Sequence, residues 1–167
     1  MNGPKQAFQP LLPPGRHVIG LDEFKALAVA RFSTSVRRPL MFTELERLVA
    51  DLIALNLTCE LWVDGSFLTE KPEPDDIDLT FAAWAQSFDL VHPAVQQVVI
   101  NSLNGGNKYS PLLHTFICFR FLREDPRRAA DKTDYWTEKW GVGWDDHLKG
   151  YVVLKLGETD VGLKLFA

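Results

Sequence analysis

The chain is poor in cysteine, in excess charge of either sign and in long apolar runs. Its two cysteines, Cys59 and Cys118, stand far apart in apolar stretches. They lack the close spacing of a metal or redox pair, which predicts reduced thiols packed in a core. A formal net charge of −4 leaves no general basic footprint, so broad electrostatic binding to DNA is not expected. No run approaches the roughly 20 apolar residues of a membrane-spanning helix. The opening MNGPKQAFQPLLPPG is neither apolar nor basic enough for a signal peptide. A cytoplasmic protein with no membrane partner is the expectation. No internal repeat and no low-complexity tract interrupts the chain.

What is present is enough apolar material for one core: 46% of 167 residues are hydrophobic. The proline-rich segment 1–20 reads as an extended N-terminal arm, because proline removes donors and disfavours helix before it. Residues 21–167 read as a single domain. LDEFKALAVARF has helical periodicity, with Leu21, Phe24, Ala28 and Phe32 inward. Thr43 and Glu46 have capping-box spacing ahead of the stripe Leu45, Leu48, Val49, Leu52 and Leu55, predicting a helix that starts there. TCELWVDG and DIDLTFAAW read as strands joined by a loop that holds Lys71, Pro72, Glu73 and Pro74. HPAVQQVVINSLNGG is a helix by its early proline and closing glycines, with Val95, Val98, Val99 and Leu103 inward. LLHTFICFRF and YVVLKL are strands, with DKTDYWTEKWG helical between them. That order predicts an α/β (α+β) architecture, a mixed β-sheet flanked by helices on one or both faces.

One stretch asks for a chemical explanation. In LWVDGSFLTEKPEPDDIDL an apolar strand ends in Gly-Ser, and a proline-broken loop leads to Asp76 and Asp78 inside a second apolar run. Side chains two apart on a strand share a face, so the two carboxylates converge. Such a pair repels unless a cation or proton lies between, and Mg²⁺ favours one or two carboxylates plus substrate phosphate oxygens. Gly65 lets the backbone approach a phosphate, and Ser66 offers a hydroxyl and an N–H to its oxygens. The plain alternatives are an acidic edge strand and a helix cap at Ser66.

Gly65-Ser66, nine intervening residues and then Asp76-Ile77-Asp78-Leu79 resemble the signature of the nucleotidyltransferase superfamily, the fold of DNA polymerase β and of the minimal nucleotidyltransferases. More narrowly, LPPGRH, a helix, WVDGSFLTEKPEPDDIDL and the late LKGYVVLKL look like a family of small uncharacterised bacterial proteins with a nucleotidyltransferase-like domain. The similarity runs over most of the chain. It implies a nucleotidyltransferase-like sheet and a two-metal Mg²⁺ site in which Asp76 and Asp78 hold metal while Gly65 and Ser66 hold the phosphates of an NTP. It also implies transfer of NMP to a protein or RNA hydroxyl. Minimal nucleotidyltransferases often resemble one half of toxin–antitoxin or phage-defence pairs, so a toxin, antitoxin or defence component is the protein partner implied.

The resemblance also implies a third acid on the strand LLHTFICFRF, where this chain carries His114 and Thr115. Histidine suits hard cations poorly, and threonine has no charge. Either a different acid serves, with Asp75, Asp64 and Glu70 nearby in sequence, or the domain is a catalytically inactive binding module acting through a partner. Lys71 reads as a phosphate contact or a solvated loop lysine, and His114 as a site residue or a hydrogen-bonded core histidine. Trp136 and Trp140, one helical turn apart, read as a base-stacking pair or as core. Arg120, Arg123, Arg127 and Arg128 read as an anion patch, for triphosphate, RNA or an acidic partner, or as a solvated loop. Lys149-Gly150 reads as a turn or as a segment closing over the site.

Overall fold

A computed structural model of the chain describes residues 7–133, 135 and 149–157. Five strands, β1 (Gly15–Val18), β2 (Cys59–Asp64), β3 (Ile77–Trp84), β4 (Leu113–Arg120) and β5 (Gly150–Leu156), form one mixed sheet in the order β1-β5-β2-β3-β4. β2 runs antiparallel to both neighbours, while β1/β5 and β3/β4 are parallel pairs. Around the sheet lie α1 (Leu21–Lys25), continued by a π-helical stretch Ala26–Ala30, then α2 (Arg37–Ala54), α3 (Ala85–Asp89) and α4 (Pro93–Leu103). The architecture is the mixed α+β sheet with flanking helices that the sequence pattern predicts.

Strand periodicity divides the sheet into two faces with different work. Leu61, Val63, Ile77, Leu79, Phe81, Val152 and Leu154 pack with Phe24, Leu45, Leu48, Leu52 and Leu103 in the main core. Each such side chain removed from water contributes roughly 1.5–3 kcal/mol. The other face carries a smaller cluster of Trp62, Ala82, Cys118, Tyr151 and Val153, with polar residues beyond it at one end. Both cysteines are free and buried. Burial pushes the Cys59 thiol up to about 12 and the Cys118 thiol to about 11, which makes both inert core groups. Among the described residues no helix is long and apolar enough to cross a membrane.

Three local expectations are corrected. α2 starts at Arg37, not at Thr43. The Glu73 carboxylate accepts from the N–H groups of Val36 and Arg37, each at 2.9 Å, and Ser35 Oγ accepts from that of Arg38 at 3.1 Å. A cap delivered from a distant loop leaves no local spacing to read. Thr43 lies inside the helix and its hydroxyl donates to the Pro39 carbonyl. Val98, expected inward, is 54% exposed, while Val99 and Leu103 are buried as expected. The proline-rich arm is extended, bridging Pro10 to Thr69, yet its last residues form β1 at the edge of the sheet. The segment DKTDYWTEKWG, with Trp136 and Trp140, falls largely outside the described residues.

Candidate functional site

β2 ends at Asp64, and the chain then turns through Gly65 at φ 78°, ψ −163°. That backbone conformation is open to glycine and strained for other residues. A second constraint coincides with it: a Cβ on Gly65 would run into the Asp78 carboxylate. Ser66 is half-buried and opens the short 3₁₀ turn Ser66–Leu68, so it is the first residue of that turn rather than its cap. The Phe67 and Leu68 side chains sink into the core and fix the turn.

The register then assembles a row of polar side chains. Asp78 stands opposite Asp64 of β2 on one side and opposite His114 of β4 on the other. Directly opposed residues share a face, so Asp64, Asp78 and His114 project together from the face opposite the main core. His114 Nδ1 is 3.1 Å from Asp78 Oδ1, and its ring packs on Phe116 with centroids 4.6 Å apart. Asp76 lies one residue ahead of β3 and is half-buried. Burial pushes the Asp78 carboxyl above its ordinary value, the Asp76 charge adds to the rise, and His114 and Lys149 oppose it. Of the two residues at the third-acid position, His114 reaches the site. Thr115 does not: it is fully buried, and its hydroxyl donates to the Gly106 carbonyl.

Asp64 is the acid that the fold brings to this row. Its side chain is 1% exposed, and its Oδ2 accepts from Lys149 Nζ at 2.9 Å, just ahead of β5. Its Oδ1 has no hydrogen-bond partner among the described residues. Burial pushes this carboxyl up to about 7 against the pull of the Lys149 ammonium. The other acids near in sequence lie elsewhere: Glu70 pairs with Arg31 at 3.2 Å and Asp75 with Lys71 at 2.9 Å, both at the surface. Lys71 is therefore committed to the loop that carries it.

That loop is anchored more firmly than a simple connection requires. The Arg38 guanidinium, fully buried, donates to the carbonyls of Ala28, Phe67, Thr69 and Lys71 at 2.7–2.8 Å. It also stacks 3.7 Å from the Phe32 ring centroid. Arg37 donates to the Pro74 and Asp75 carbonyls. The first turn of α2 thus holds the whole connection from Gly-Ser to Asp76. Neither arginine stood out from sequence; their adjacency just before Pro39 was the available signal.

The arginine cluster does not join the row. Arg120 stacks 4.4 Å from the Trp84 ring centroid, Arg127 pairs with Asp89 and Asp125, Arg128 donates to the Phe121 carbonyl, and Arg123 is exposed. Trp84, Arg120, Phe121, Arg128, Asp131 and Thr133 line a cavity of about 370 Å³. It lies at the far end of β3 and β4, six residues or roughly 20 Å along the strand from Asp78.

Among the described residues no three His, Cys, Asp or Glu side chains form a metal cage. The donors at Asp76 and Asp78 are nevertheless hard oxygens two residues apart. Mg²⁺ is commonly held by one or two carboxylates, with substrate phosphates and water completing its shell. By the chemistry of their donors the two residues fit such an ion.

The chain belongs to a family of unknown function, DUF6932, whose model matches residues 4–155 and so includes every residue of the row. No curated protein and no solved structure matches it.

Proposed function

We propose that the protein is a Mg²⁺-dependent nucleotide-binding protein of the nucleotidyltransferase kind, transferring NMP from an NTP to a protein or RNA hydroxyl. The supporting observation is the fit of the Asp78 carboxylate into the space left by Gly65, which brings the Gly-Ser turn and the Asp-x-Asp strand into contact. Asp76 and Asp78 would hold Mg²⁺, which neutralises triphosphate charge as the leaving pyrophosphate develops. The Gly65-Ser66 turn would take the terminal phosphates, and the acceptor hydroxyl, losing its proton to water, would bond to the α-phosphorus as the bond to the leaving pyrophosphate breaks. A cytoplasmic location and a partner from a toxin–antitoxin or phage-defence system complete this reading by analogy.

A second reading is carried by a specific observation. Asp78 is bonded to His114 and Asp64 to Lys149, so two of the carboxylates already have partners. This favours a catalytically inactive module that binds a nucleotide as a sensor or regulator.

Incubation with α-labelled NTPs, RNA and cell extract separates the two. Label passed to a macromolecule by the wild type and not by Asp76→Ala/Asp78→Ala supports transfer. Saturable Mg-NTP binding without transfer supports the module. Neither binding nor transfer contradicts both.

A further inference from the structure

Lys149 occupies a cation's place in the acidic row. Its side chain is 10% exposed, its Nζ lies 2.9 Å from Asp64 Oδ2, and its charge is felt at Asp78 as well. A lysine so enclosed is tolerated only beside an opposite charge. The sheet explains its position: β5 pairs Val152 with Val63 of β2, so the residues entering β5 pass the end of β2 where Asp64 stands. Gly150 allows the arm at Leu12 and Pro13 to close tightly on that entry. On the other side of Asp78, β4 supplies His114, a poor ligand for a hard cation. The Asp64 side chain, although 99% enclosed, keeps one oxygen without a partner among the described residues. One of its oxygens is thus spare beside an ammonium that holds the other.

We propose that Lys149 is a built-in counter-cation that replaces one of the two metal ions of a nucleotidyl-transfer site. The protein then takes a single Mg²⁺ with its nucleotide, through Asp76 and Asp78, and the ion pair keeps Asp64 out of the metal shell. This rests on the nucleotide-binding reading above. Lys149 is a positioning residue: it fixes Asp64 and the charge of the row rather than touching the reacting atoms.

The test counts protein-retained Mn²⁺ and nucleotide by equilibrium dialysis, using non-hydrolysable analogues of the four ribonucleoside triphosphates. Wild type should retain about one ion per bound nucleotide, and Lys149→Met, which releases Asp64, about two. Asp64→Asn/Lys149→Met removes both charges and should return to about one, which keeps the test open if the single variant does not fold. About two ions in the wild type would overturn the inference while leaving the nucleotide reading intact. An unchanged count in folded Lys149→Met, or loss of the ion in the double variant, would also overturn it. No retained nucleotide in any form would instead defeat the nucleotide reading, and the inference with it.

Discussion

Asp78 lays its carboxylate in the space that a side chain on Gly65 would fill. The contact joins two sequence motifs that a loop of nine residues separates, and it makes Gly65 doubly constrained, by φ 78° and by its neighbour. Gly65→Ala should therefore lose about 1–3 kcal/mol of stability from backbone strain and displacement of Asp78. Mg-NTP affinity should fall at least about tenfold, since about 1.4 kcal/mol of lost positioning suffices. Thermal unfolding and calorimetry check both. Unchanged values would mean that the turn and the strand are not coupled.

Arg38 should prove indispensable to the fold. Arg38→Met leaves the carbonyls of Ala28, Phe67, Thr69 and Lys71 without their donor, and each unsatisfied buried group costs about 1–3 kcal/mol. A loss above about 3 kcal/mol in urea unfolding is expected. Arg38→Lys should rescue little, because a single ammonium cannot reproduce the planar fork of guanidinium donors. Full rescue by lysine would show that charge alone matters there.

The Asp64 carboxyl gives a signed pH dependence in the metal-free protein. Burial raises it from 3.8 to about 7, so the folded state holds this proton more tightly than the unfolded state. Its contribution to stability is full below the unfolded value and is lost as pH rises through about 7. The urea midpoint of wild type relative to Asp64→Asn/Lys149→Met should accordingly fall between about pH 4 and pH 7. A difference independent of pH would contradict the burial of a titrating Asp64.

His114 offers a contrast between two substitutions. The His114–Asp78 pair is partly open, with side chains 35% and 27% exposed, so His114→Ala should cost no more than about 1 kcal/mol. His114→Asp places a like charge beside Asp78 and should be the less stable variant without metal, recovering on addition of Mg²⁺. Differential scanning fluorimetry with and without the ion reads this directly. A variant as stable as wild type and indifferent to Mg²⁺ would show that position 114 does not share the site with Asp78.

The sheet, its flanking helices and the Gly65-Ser66 turn were legible because each follows from short-range periodicity and turn chemistry. β1 was not, since Gly15–Val18 is too short and too polar to show alternation. The start of α2 was missed because Glu73, which caps it, lies far along the chain. The same limit applies within the site. Asp76 and Asp78 announce themselves by spacing, and His114 by comparison with the expected acid, but the selection of Asp64 over Asp75 and Glu70 depends on strand register. Lys149 could be noted before the last strand, whereas its ion pair with Asp64 appears only once β5 lies against β2.

A nucleotide site at Asp76 and Asp78 should depend on divalent metal. Calorimetric titration with each ribonucleoside triphosphate, with and without Mg²⁺, on wild type and Asp76→Ala/Asp78→Ala reads that dependence. Saturable binding that requires Mg²⁺ and disappears in an equally well folded variant is the predicted result. No binding by the wild type, or binding that survives in the variant, would contradict it.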